Sequence, residues 1–272
     1  MKSYLAKITP LCALAGLILA ACDMVQVYQG QIEKATRAIE AATTDAARAA
    51  AHADRGRGYS DKARLSLVRS QIDHAEFVRL FDLAIRDHDQ AIALAPDDGE
   101  MYYARGRSNY DRAALANEPV ADHTPWFDAA RSDFSAAVEK DPKHRAAYDF
   151  LGIVEEQTGR FDEAVAAYTH EMALDPRSGR MRLSDLYCNR GQAYLKDKNF
   201  ELAAVDLEKS VEFSAKSDGC SCEPYNPLAY IYIDAVPQYE KGWDLVRRAH
   251  SSGNPIAAEY VERLKKQSGR SG

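Results

Sequence analysis

Four stretches of this sequence repeat one spacing of small and aromatic residues, and no other feature constrains the fold as much. Tyr148-x-x-Leu151-Gly152 is followed by Ala164-x-x-x-Tyr168 and Pro176. Tyr102-x-x-Arg105-Gly106 is followed by Ala130-x-x-x-Phe134 and Pro142. Tyr187-x-x-Arg190-Gly191-x-x-Tyr194 precedes Ala203-x-x-x-Leu207, and His52-x-x-Arg55-Gly56-x-x-Tyr59 precedes Ala84, His88 and Pro96. Small residues at fixed places let two helices cross closely, while aromatic residues fill the space between them. A proline eight residues after the second-helix anchor, at Pro96, Pro142 and Pro176, stops the second helix. Each two-helix unit leaves an apolar face that only its neighbour can cover, so the units must stack. Apolar residues make up 46% of the chain and charged residues 28%, which excludes a mainly disordered protein. Val and Ile rarely alternate with polar residues, so the body reads as all helix.

The pattern resembles the tetratricopeptide repeat (TPR), a helix-turn-helix unit of about 34 residues, and Pro142 and Pro176 stand one such period apart. The resemblance implies an all-α superhelix of four repeats at about 47–96, 97–142, 143–182 and 183–216. The first two are longer than the third. In the second, residues 116–125 are rich in turn-forming residues and read as a loop, with Thr124-Pro125 opening the next helix. The first insertion lengthens both of its helices. Gln31 to Ala53, Ala-rich and without glycine, is a further helix candidate. Residues 217–272 read as a degenerate fifth hairpin and a closing helix: Asn226–Asp234, Gln238–His250 and Pro255–Gln267.

One covariation runs through the repeats. The residue before the glycine is Arg55, Arg105, Leu151 or Arg190; the residue before the second-helix anchor is Asp87, Asp133, Ala167 or Asp206. Arg travels with Asp, and Leu with Ala. An unpaired charge at a helix crossing is very costly. The expectation is three ion pairs: Arg55–Asp87, Arg105–Asp133 and Arg190–Asp206.

The N-terminus reads as an address. Lys2 and Lys7 precede an apolar run from Ile8 that ends in Leu19-Ala20-Ala21-Cys22. This order is that of a secretory signal, and the run is short for a membrane span. Its ending resembles the bacterial lipobox. That resemblance implies cleavage after Ala21, a diacylglycerol on Cys22 and often acylation of the new amino group; several acyl chains anchor stably. Residues 1–21 are then a lipoprotein signal peptide and 22–46 a tether and N-terminal helix, with the body facing the periplasm of a bacterial envelope. Asp23 resembles an inner-membrane retention signal of enteric bacteria, a rule too narrow to choose between the two membranes. Outside the cytoplasm disulfides are allowed. Because neighbouring first helices touch in a TPR stack, Cys188 is expected to pair with Cys220 or Cys222, leaving one free thiol.

No catalytic constellation emerges. None of the seven histidines lies in HExxH, and there is no GxGxxG, Walker or GxSxG motif. Arg55-Gly56-Arg57-Gly58 belongs to the repeat signature rather than to a phosphate loop. No enzyme activity, cofactor or metal is expected. The net charge of −6 argues against a general nucleic-acid binder. The resemblance implies a groove for peptides or partner proteins, lined by Ala53, Arg57 and Ser60; Tyr103, Arg107 and Tyr110; Asp149, Ile153 and Glu156; and Cys188, Gln192 and Leu195. Its first half is basic and aromatic, as suits an acidic or carboxyl-terminal peptide. A lipidated TPR body resembles NlpI-type lipoproteins, adaptors for peptidoglycan hydrolases and a protease. The expected function is therefore a membrane-anchored scaffold or adaptor in the envelope. The alternative is a permanent structural subunit of an outer-membrane or pilus assembly machine.

Overall fold

A computed structural model describes residues 9–68, 74–115, 123–214 and 222–269, with side chains from Met24 onward. Among the described residues every regular element is helical and there is no strand. The chain forms two compact units, Met1–Val154 and Glu155–Gly272.

The first unit holds α1 (Thr9–Ala41), α2 (Asp45–Val68), α3 (His74–Leu94), α4 (Gly99–Leu115), α5 (Thr124–Lys140) and most of α6 (Arg145–Gln157). Each helix from α1 to α5 packs on the next, and α2 also touches α4. The helix expected over 31–53 is in fact parts of two. Thr44 interrupts it, because its Oγ1 accepts the Ala47 N–H at 3.2 Å and caps α2. The first insertion does lengthen both helices: α2 runs 24 residues and α3 runs 21. Pro96 and Pro142 lie just beyond the ends of α3 and α5.

The second unit holds α7 (Phe161–Leu174), α8 (Pro176–Lys196), α9 (Phe200–Ser214), α10 (Tyr225–Tyr230), a π-helical turn (Ile231–Ala235), α11 (Tyr239–Ser251) and α12 (Ala258–Ser268). The repeat boundary drawn at 182/183 falls inside α8. Asp175 caps that helix, accepting from the N–H groups of Arg177 and Ser178, and Pro176 is its first residue. The proline that stops α7 thus starts α8 directly. One apolar core, including Leu207, Val211, Leu228, Ile231, Leu245 and Leu264, joins α9 to the C-terminal helices.

The repeat glycines are close approaches. A Cβ on Gly56 would lie 2.7 Å from the His88 ring. On Gly106 it would lie 2.9 Å from Phe134, and on Gly191 2.9 Å from Leu207. The second helix of each pair fills the space where that side chain would stand.

Candidate functional site

The Arg and Asp of each expected pair stand face to face across their helices. Arg55 donates through Nε and Nη2 to both Asp87 oxygens at 2.8 and 2.7 Å, and His52 Nδ1 adds a third contact at 2.9 Å. Arg105 Nη2 lies 2.6 Å from Asp133 Oδ1, and Asn109 donates to the same carboxylate at 3.1 Å. Arg105 also reaches Asp89 at 2.7 Å. Arg190 grips Asp206 at 2.6 and 2.9 Å. The three carboxylates are buried while the guanidinium ends reach toward solvent. Burial weakens the Arg105 charge, but the hydrogen bonds and field of Asp133 and Asp89 outweigh it and hold the guanidinium above its usual range.

A second set of charges forms a seam between α2 and α4. Arg57 Nη2 faces Glu100 at 3.4 Å, and the Ser60 and Ser108 hydroxyls meet at 2.8 Å. Arg64 bonds both Asp61 and Asp111. Arg107 Nε joins it on Asp111 at 3.1 Å, so two guanidinium groups share one buried carboxylate. Beside this seam opens a cleft of about 180 Å³, with Arg57, Arg64, His88, Glu100, Tyr103 and Arg107 among its walls. His88 is 1% exposed and its Nδ1 has no hydrogen-bond partner among the described residues. Burial pushes its pKa down to about 4, so the ring is neutral near pH 7.

The cleft brings together four of the expected groove residues: Arg57, Ser60, Tyr103 and Arg107. The others sit differently. Tyr110 packs on Phe127 and Phe150, with ring centroids at 6.1 and 5.4 Å, and is not among the cleft walls. Tyr103 itself leans on Phe134, Phe150 and His144, and Arg107 lies 4.3 Å over the Phe150 ring. These aromatic residues are as much packing as surface. Ala53 and Cys188 are buried, and so is Ser60 within the cleft wall, because first helices press together along this line. Asp149 and Ile153 are half-buried on α6, and Glu156 accepts from the Tyr168 hydroxyl at 3.2 Å.

Gln192 is likewise engaged, donating to Cys222 Sγ at 3.1 Å. Cys188 and Cys222 form a disulfide with Cα atoms 6.0 Å apart, and the Cys222 N–H is held by Asp185 at 3.1 Å. Cys220 lies outside the described residues, as does the side chain of Cys22.

Sequence reasoning missed Arg64, His88, Glu100, Asp111 and His144. A signal existed for two of them. Arg57, Asp61 and Arg64 share one helical face, and Asp111 follows Arg107 by one turn. His88 stood in the pattern only as a packing residue.

Comparison with solved structures finds helical repeat proteins at low identity. MamA is 20% identical over 70% of this chain and 90% of its own, with a TM-score of 0.47. YrrB, described as a TPR protein with an unusual peptide-binding site, is 15% identical over 87% and 99%, with a TM-score of 0.44. A thermophilic TPR protein of Thermus thermophilus is 17% identical over 70% and 92%, at 0.38. Residues 127–178 and 184–217 each match a family model of the tetratricopeptide repeat. The chain therefore carries tetratricopeptide repeats within an all-α fold.

Proposed function

We propose that this protein is a non-catalytic scaffold, held on a bacterial envelope membrane by lipid at Cys22, that binds acidic or carboxyl-terminal segments of partner proteins. The observation that carries the reading is the convergence of Arg57, Arg107 and Tyr103 on one cleft between α2 and α4. Arg and Tyr are enriched among residues that dominate binding energy. A planar guanidinium can meet a carboxylate with two parallel hydrogen bonds. Leu19-Ala20-Ala21-Cys22 after an apolar run supports the anchor.

A photo-crosslinking residue at Ala104, in the cleft wall, should capture a partner in cells. The same residue at Ser132, exposed on α5, should not. Arg57→Glu/Arg107→Gln should abolish the Ala104 adduct in protein that remains folded. Equal capture at both positions would move the binding surface away from the cleft. Intact mass of the membrane-extracted protein should show acyl chains, and a mass without them would end the anchoring part.

A further inference from the structure

Glu100 serves two cations with its two oxygens. Oε1 faces Arg57 Nη2 at 3.4 Å, and Oε2 faces His144 Nε2 at 3.1 Å. His144 sits at the start of α6 and is mostly shielded, whereas Arg57 and Glu100 are about half exposed. On the other side of the ring, His144 Nδ1 accepts the Ala147 N–H at 3.2 Å. In its neutral form the ring carries its proton on Nε2, donating to Glu100 and accepting from the helix. In that state Glu100 keeps a full negative charge for Arg57.

We propose that protonation of His144 draws Glu100 away from Arg57 and frees the guanidinium's Nη2, while Nη1 stays by Asp54 at 3.6 Å, for an anionic group in the α2/α4 cleft, so that the cleft binds acidic partners more tightly as the pH falls below neutral. The inference rests on the reading of the cleft as an acidic-segment site and adds its regulation. The shared carboxylate carries it. A protonated imidazole neutralises Glu100, and the cleft gains one unit of positive charge without any new residue.

The surroundings favour the protonated ring. From α4, Glu100 bonds it, and the neutral Tyr103 ring lies 4.6 Å away. From the preceding turn, Asp141 adds a favourable field. From α2, Arg57 acts on it through Glu100. The hydrogen bond with Glu100 leads in raising the His144 pKa above its ordinary value, against partial burial, and the same bond leads in lowering that of Glu100. Protonation forfeits the Nδ1 contact, but the Ala147 N–H also points to the His144 carbonyl at 3.1 Å and keeps a partner. His88, the imidazole in the cleft wall, stays neutral to about pH 4 and does not change over this range.

The sign follows directly. A His whose pKa is raised by a carboxylate is charged below that pKa and neutral above it, so anion binding strengthens from pH 8 to pH 6. The carboxylates of an acidic ligand keep their charge throughout that window.

The test uses the full chain and a fluorescent decapeptide rich in Asp and Glu with a free carboxyl terminus, followed by anisotropy from pH 8 to pH 6. The expected gain in affinity is about two- to fivefold, the range for a half-exposed ion pair. His144→Gln keeps a donor to Glu100 but cannot charge, so its affinity should be flat with pH. Glu100→Gln should bind at pH 8 as tightly as the wild type does at pH 6. Proton NMR of the free protein should place the His144 titration above its ordinary value, and Glu100→Gln should bring it down. Binding that tightens equally in His144→Gln, or a His144 titration at or below the ordinary value, would overturn the switch and leave the cleft reading standing. No binding of the peptide at any pH would overturn both.

Discussion

Residues 9–154 hold their helix crossings with charge. Asp87, Asp111 and Asp133 are buried carboxylates, each bonded by at least one arginine, and around them the buried apolar residues form several small clusters. Among the described residues of 155–269 the device recurs across helices at Arg190–Asp206, and Glu155 is buried against Arg160 five residues on; the unit then turns to a continuous apolar core closed by the Cys188–Cys222 disulfide. One helical hairpin pattern is thus stabilised in two ways. Buried ion pairs contribute little over a well-packed apolar alternative, yet they are severe when broken, because the surviving charge stays buried. An apolar core loses stability by degrees as methylenes are removed. The first unit should accordingly be sensitive to single charge deletions and to acid, and the second to reduction.

Reduction gives the sharpest test of this contrast. Opening the disulfide, by a phosphine reductant or by Cys188→Ala, should cost residues 155–269 about 4 kcal/mol, the loop-entropy value for a bridge spanning 34 positions. Hydrogen exchange resolved by segment should show that loss in α8 to α12 and none in α2 to α5. Equal loss in both units would mean they do not differ in this way.

Arg105→Ala should cost the first unit about 3 kcal/mol, since it leaves Asp133 buried with only Asn109. Replacing both partners, Arg105→Leu/Asp133→Ala, copies the Leu151 and Ala167 of the third repeat and should recover most of that loss in urea titrations. A double variant no better than the single would show that the pair does more than neutralise itself.

Acid gives the smallest effect. His88 is buried neutral with its pKa lowered to about 4, so the unfolded chain takes up its proton first. Stability from this group is present above about pH 6.5 and is lost as the pH falls toward 4. Between pH 7 and pH 5 the loss should be about 2 kcal/mol. It should be absent in His88→Gln, with exchange in α2 and α3 as the readout. A His88→Gln variant with the same acid dependence would assign the loss to other groups.

The fold was legible because the repeat is a packing rule written in residue size. Gly, Ala and aromatic residues at fixed spacing mark the crossings, and prolines mark the ends. The charge pairs could be read for a related reason: Arg and Asp covary where burial forbids either alone. Boundaries set by side-chain capping were harder. Thr44 ends one helix and begins another inside an Ala-rich run, and Asp175 with Pro176 joins two helices without a linker. The cleft was half visible. Arg57, Tyr103 and Arg107 lie on a predictable helical face. Glu100 and His88 reach it from another turn and another helix, and His144 touches it only through Glu100, a contact far apart in sequence. Tyr110 looked like surface because a helical face alone does not reveal which neighbouring rings will cover it.

The hollows over three of the repeat glycines are filled by different groups: an imidazole over Gly56, a phenyl ring over Gly106 and an isobutyl group over Gly191. Each first helix is therefore keyed to its own second helix, although all three share one spacing. Modules cut from this chain would not be interchangeable parts. A chimera placing α5 opposite α2 would set Phe134 where a smaller ring now sits, and would have to splay or shift register to close. Copies of a single hairpin joined end to end would keep their keys, so an array built from one repeat should assemble where a shuffled array of all of them would not.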